Sequence, residues 1–189
     1  MRLLLAPRET YAALMRIPSS MSPLAALRRP LLAAVVLGVS VAIAGTGRVT
    51  PGLVVATTIG WSYMILVQLA VAMPLLVAGG ATRTVGLARA VDLFFAGHAP
   101  WSLFVLFAAA WASSPFGRPP LPLLVAAALA LAVTTRILTA FFGEVLHMAP
   151  ARARRWMGIH QIVTWTLFVA LVWFESALTP RVFEVVGRL

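Results

Sequence analysis

The chain has no cysteine, no lysine and no asparagine, and only five of its 189 residues are acidic. Without cysteine there is no disulfide, no thiolate nucleophile and no thiolate-bound metal. Without lysine there is no P-loop lysine and no Schiff base, and without asparagine there is no N-glycosylation. No G-x-S-x-G elbow occurs, and no nucleophile has a base beside it in the sequence. No internal repeat or low-complexity segment is present. The routes to covalent catalysis are therefore few, and the sequence assigns no enzymatic chemistry.

What the chain does contain is apolar surface. The hydrophobic fraction is 61% and the mean hydropathy is +0.97, against about 45–50% apolar content in soluble domains. In water such a chain would expose large sticky patches. Apolar segments fall at roughly 31–46, 52–78, 91–112, 121–143 and 158–178. A helix needs about 20 residues to cross about 30 Å of hydrocarbon. Four segments meet that length. The first is short unless Leu24 to Leu27 add a turn and Arg28 and Arg29 snorkel to the headgroups. The expected fold is all-α, an integral membrane bundle of five transmembrane helices in residues 24–189. A short amphipathic interfacial helix within residues 1–23 precedes it. Met1 to Ala6 is too short for a signal-peptide core, so the first span is expected to act as the insertion signal.

The fifteen basic residues are all arginine and the net charge is +10. Threaded in series, one side collects Arg2, Arg8, Arg16, Arg28, Arg29, Arg83, Arg89, Arg152, Arg154 and Arg155. The other side collects Arg48, Arg118, Arg181 and Arg188. Cytoplasmic loops accumulate Lys and Arg, so the N-terminus is expected inside and the C-terminus outside. A pI near 11.9 could point to nucleic acid. Arginines that flank apolar spans are better explained by orientation and anionic lipid, so no nucleic-acid partner is expected. Arg8, Arg16, Arg28, Arg29, Arg152, Arg154 and Arg155 form the expected surface for anionic lipid or a protein partner.

Local signals refine this plan. Pro7 suits a first helical turn. Tyr11, Leu14 and Met15 then share one face, opposite Arg8, Glu9 and Arg16, as in a helix lying on a leaflet. Pro18, Ser19, Ser20, Ser22 and Pro23 are expected to break it. Ala34, Gly38 and Ala42 recur every four residues, a spacing that lets helices approach closely. Pro100 lacks an N–H and clashes with the carbonyl of Ala96, so a kink is expected in the third span. The prolines and Gly117 between Pro115 and Pro122 make an outer loop, and Pro180 is expected to end the fifth span.

Ionisable groups inside a membrane are costly and are functional candidates by default. Asp92 sits at the mouth of the third span, Glu144 and His147 at the end of the fourth, and His160 near the start of the fifth. Arg136 lies two turns inside the fourth span, and Glu175 near the outer end of the fifth. His98 is the deepest, about 10 Å from Val91 at helical rise. No charge reaches the midplane, where Gln68 is the most polar group. A pump or proton-coupled transporter would place carboxylates or broken helices there.

Glu144-x-x-His147 is the half-motif of carboxylate-bridged di-iron sites, but no second Glu/Asp-x-x-His exists. The simpler reading pairs Glu144 with Arg136 or with the Arg152 to Arg155 cluster. His98, His147 and His160 lie on different spans, so two of them could ligate haem. The simpler reading here is a hydrogen-bonded His98 beside Asp92.

Pro7-Arg8-Glu9-Thr10-Tyr11, a Pro/Ser break and a hydrophobic body together resemble bacterial members of the Yip (Ypt-interacting protein) family. Gly97-His98-Ala99-Pro100-Trp101 is similar to that family's Gly-Tyr-x-x-Pro neighbourhood, with His for Tyr and the Pro one position early. The resemblance implies five spans, a cytoplasmic N-terminus, a bacterial inner membrane and no assigned chemistry. The acidic-aromatic D-L-Y-G-P element of eukaryotic members is missing, so their role with Rab GTPases is not carried over. The expected function is a Yip-like scaffold or accessory subunit of a membrane assembly, without cofactor, touching membrane lipid and other membrane subunits or itself. A second reading is a redox component with haem on two of the three histidines. A third is a small transporter or lipid-handling protein.

Overall fold

The computed structural model describes residues 2–17, 21–114 and 119–186, and the side chains of all of these except Trp61 and residues 175–186. The described residues form helices and no strand. In chain order these are α1 (Arg2–Leu5), α2 (Pro7–Met15), α3 (Pro23–Ala26), α4 (Arg28–Thr46), α5 (Pro51–Trp61) and α6 (Tyr63–Ala78). After them come α7 (Ala81–Thr84), α8 (Leu87–Ala96), α9 (Ala99–Ala112), α10 (Pro120–Glu144) and α11 (Pro150–Val186).

Their ends follow local chemistry. Pro7 opens α2, where its fixed φ fits and its missing N–H is no loss. Gly47, at φ 67, closes α4 in the left-handed region and donates to the Ile43 carbonyl. The Thr50 side chain caps α5 by accepting from the Leu53 N–H, and Pro51 follows it. Four helical stretches are long and apolar enough to cross a membrane: Pro23–Thr46, Pro51–Ala78, Pro120–Glu144 and Pro150–Phe174. A fifth would be the pair α8 and α9, bent by 43°. Pro100 sits in the first turn after that bend, as its chemistry requires.

Two boundaries differ from the sequence reading. The basic stretch from Pro150 to Trp156 belongs to α11 and is not a loop, because arginine is a good helix former and Pro150 is placed to start the helix. Pro180 does not end α11, which runs on to Val186. A proline removes one N–H bond and crowds one carbonyl, which bends a helix without always stopping it. The remaining expectations at Pro18, Ser19, Ser20, Pro115, Gly117, Arg118 and Arg188, and those on the side chains of Glu175, Arg181 and Glu184, lie outside what is described.

The long helices close into a ring. α4 packs on α5 and α9, α9 on α10, α10 on α11, α11 on α6, and α6 back on α4. One end of the ring is densely filled. Tyr11, Leu76, Phe94, Ile137, Leu138, Phe141, Phe142 and Met157 are all buried there. Edge-to-face ring pairs run from Tyr11 to Phe141 and from Phe141 to Phe94, each at 5.8 Å, contributing about 0.5–1.5 kcal/mol apiece beyond their burial. The apolar face of α2 is therefore turned onto α10, not outward, and Tyr11 Oη donates to the Leu93 carbonyl at 3.1 Å. Burying the ring on protein satisfies its hydroxyl, which hydrocarbon could not.

The Ala34, Gly38 and Ala42 stripe is likewise buried inside the chain. A Cβ on Gly38 would lie 2.8 Å from the backbone of Thr58, and Thr57 Oγ1 donates to the Gly38 carbonyl at 2.8 Å. The outer surface of the ring is apolar. Leu66, Leu124, Leu129, Ile162, Val169 and Trp173 are each more than half exposed.

Candidate functional site

The bend between α8 and α9 places His98. With α8 ending at Ala96 and α9 starting at Ala99, His98 stands at the break, with φ −90 and ψ 0. Its Nδ1 lies 3.2 Å from the Phe94 carbonyl. A carbonyl only accepts, so Nδ1 carries the proton, and Nε2 of the neutral ring is left as an acceptor. His160, on α11, meets it edge to face with ring centroids 5.8 Å apart. Phe94 touches both rings, at 4.8 Å and 5.1 Å. Thr164 Oγ1 lies 3.3 Å from His160 Nδ1. Both histidines are buried.

Beside them is a void of about 40 Å³, bounded by Gln68, His98, Thr134, His160, Gln161 and Thr164 among others. That is room for one water or one polar group of a ligand. Thr134 Oγ1 is buried here with no hydrogen-bond partner. The void shares Gln68, His98, Trp101, Thr164 and Trp165 with a larger cavity of about 440 Å³ inside the ring. Ala33, Val36 and Leu37 of α4, Val105 of α9 and Phe168 of α11 complete most of its wall. Trp101 and Trp165 meet edge to face at 5.1 Å. Gln161 holds the opposite side of the void. Its Nε2 donates to Thr135 Oγ1 at 3.4 Å, and its Oε1 accepts from Trp165 Nε1 at 2.9 Å.

The arrangement can therefore accept a mainly apolar body between aromatic rings and one polar group beside His98. Gln68, half-buried, presents both a donor and an acceptor to the cavity and makes no hydrogen bond to any described residue. The cavity volume lies within the about 300–1,000 Å³ of small-molecule sites.

The other candidate residues are placed elsewhere. α10 ends at Glu144, and His147 follows at φ 52, exposed. The two therefore do not share a helix face, and His147 does not join His98 and His160. Glu144 forms no ion pair with Arg136 or with Arg152, Arg154 or Arg155. Among the described residues, the one ion pair joins Arg29 Nε to Asp92 Oδ1 at 2.6 Å. That pairing corrects one expectation: Asp92 is not the partner of His98, whose Nδ1 meets the Phe94 carbonyl, while half of the Arg29 side chain stays exposed.

Arg136 Nη2 donates to the Leu5 carbonyl at 2.9 Å. Arg89 donates to the carbonyls of Leu14 and Ile17, closing the end of α2. Arg152 lies over the Trp156 ring at 5.1 Å. Arg8, Arg16, Arg28, Arg152, Arg154 and Arg155 are exposed.

Of this site, His98, His160 and Gln68 were visible as isolated polar residues in apolar runs. Thr134, Gln161 and Thr164 were not, because threonine and glutamine inside an apolar helix carry no pattern that tells a cavity wall from a satisfied packing position. No protein-family model, no curated protein and no solved structure matches this chain.

Proposed function

We propose that this chain is a five-pass membrane protein, N-terminus on the cytoplasmic side, that holds one small amphiphile inside its ring of spans. The ligand has an apolar body of a size for the 440 Å³ cavity and a single hydroxyl or carbonyl beside His98. The carrying observation is Gln68. Its amide lines both voids without a partner among the described residues, and in hydrocarbon that deficit is relieved by a ligand's polar group. Buried Thr134 Oγ1 adds a second unmet demand in the same place.

The membrane setting is supported by the four long apolar stretches and the bent pair, and by the large apolar side chains on the outside of the ring. The ten-to-four division of arginines supports the orientation. The Yip-like layout supports the same topology. A scaffold or accessory-subunit role would use small-residue faces and the basic inner surface, and the Ala34, Gly38 and Ala42 face is occupied within the chain. The lipid-handling reading is therefore preferred. Purification in mild detergent, organic extraction and mass spectrometry test it. A recurring apolar molecule with one polar group, at near-equal stoichiometry, is the expected result.

The contact of His98 with His160 favours a second reading, haem on those two residues. Their rings would need to part to admit a macrocycle. A Soret band lost in His98→Ala would establish this reading, and a colourless preparation would remove it.

A further inference from the structure

A second opening lies at the arginine-rich end, meeting the small interior void only at Gln161. It is a crevice of about 720 Å³ between the start of α2, the C-terminal half of α10 and the start of α11. Its polar wall is Arg8, Glu9, Thr135, Arg136, Thr139, Arg154 and Gln161, and its apolar wall includes Leu5, Ala6, Ala140 and Met157.

Three features give this crevice a sign. Arg8, Arg136 and Arg154 face it against a single carboxylate, Glu9, and Glu9 pairs with none of them among the described residues. The side chains of Arg8 and Arg154 make no hydrogen bond to any described residue, whereas Arg136 is held in place by the Leu5 carbonyl. The first turn of α2 has no side-chain cap, so its free N–H groups add partial positive charge at the same opening. Three guanidinium groups with the Thr135 hydroxyl at hand match a phosphate group, which offers several acceptors to planar N–H forks.

We infer that this crevice binds the phosphate of an anionic phospholipid, seated between α2, α10 and α11 at the cytoplasmic interface. The apolar wall lets the acyl chains leave along the outer faces of α10 and α11, where Leu129 and Ile162 are exposed. A soluble phosphate would gain nothing from that wall. The inference rests on the five-pass reading and is independent of the interior ligand.

The test uses the full chain in mild detergent, with phosphatidylglycerol and phosphatidylcholine offered at equal concentration and bound lipid counted by native mass spectrometry. The wild type is expected to retain phosphatidylglycerol preferentially. Arg8→Gln and Arg154→Gln should each lower that retention about tenfold, the value of one charge-assisted hydrogen bond. Arg155→Gln removes the same charge from an exposed position outside the crevice and should leave retention unchanged. Equal loss in Arg155→Gln would mean diffuse attraction and overturn the site, as would a wild type with no preference. Displacement of the lipid by an equal concentration of inorganic phosphate would assign the crevice to a soluble anion and overturn the lipid. Flotation with vesicles of phosphatidylcholine alone reads the five-pass premise separately: a chain that stays behind fails as a membrane protein, whatever its arginines do.

Discussion

Arg29 Nε donates to Asp92 Oδ1 at 2.6 Å, joining the first turn of α4 to the middle of α8 across 63 positions of sequence. The pair is lopsided. The Arg29 side chain is 50% exposed and that of Asp92 only 13%. Removing Asp92 leaves a guanidinium that can turn to solvent. Removing Arg29 leaves a desolvated carboxylate without its partner. Arg29→Gln is therefore expected to cost about 2–3 kcal/mol and Asp92→Asn about 1 kcal/mol. Thermal unfolding in detergent of both single variants and the double variant measures the difference. Equal costs would show the burial asymmetry to be irrelevant.

Tyr11 fastens the N-terminal helix to the same region. Its ring is fully buried, against Phe141, and its hydroxyl donates to the Leu93 carbonyl. Tyr11→Phe should cost about 1 kcal/mol, the net value of one buried hydrogen bond. Burial raises the phenol pKa well above its usual value, opposed by the nearby charge of Arg29. A raised folded-state pKa gives stability that is complete below the unfolded value of about 10 and is lost as pH rises above it. The wild type should therefore lose its advantage over Tyr11→Phe between about pH 10 and higher values. A constant gap across that range would contradict the assignment.

The sequence made the helix class and the long apolar helices readable for one reason: long apolar runs bounded by Gly, Pro and Arg leave little choice of secondary structure. Residues 121–143 became Pro120–Glu144 and the Pro100 kink became a 43° bend. What it could not show were pairings between distant elements. Arg29 with Asp92, Arg136 with Leu5, and His98 with His160 are set by which helices become neighbours in the ring. Tyr11 was placed on the apolar face of α2, but whether that face met lipid or protein depended on α10. The cavity was legible only as Gln68 and His98, two polar residues at depth, with His98 assigned to Asp92 in place of the Phe94 carbonyl.

Close approach of α4 and α5 at Gly38 gives a third prediction. Gly38→Ala would place its Cβ 2.8 Å from Thr58 backbone atoms, which cannot swing away. Overpacking of this kind costs about 1–3 kcal/mol. Gly60 on α5 has nothing within 4 Å of its added Cβ, so Gly60→Ala should stabilise by about 0.5–1 kcal/mol. Opposite signs in the two variants are expected. The same sign in both would show that α4 and α5 do not meet at Gly38.

The absence of cysteine makes topology simple to read, since any introduced thiol is the only one. Val49, between α4 and α5, is exposed, as are Thr82 and Ala151. In intact cells an impermeant thiol reagent should label Val49→Cys and spare Thr82→Cys and Ala151→Cys until the membrane is opened. Labelling of all three from outside would overturn the arginine-based orientation.

The interior ligand is the central claim, and Gln68→Leu tests it most directly. The substitution keeps the volume near that of the amide and removes the unpaired polar group, so the ligand-free protein should be no less stable. The decisive measurement is the amount of co-purified small molecule per chain, compared between wild type and Gln68→Leu at matched folding. Near-stoichiometric ligand in the wild type, falling about tenfold in Gln68→Leu, is the predicted result. An empty wild type, or equal loading of both proteins, would contradict it.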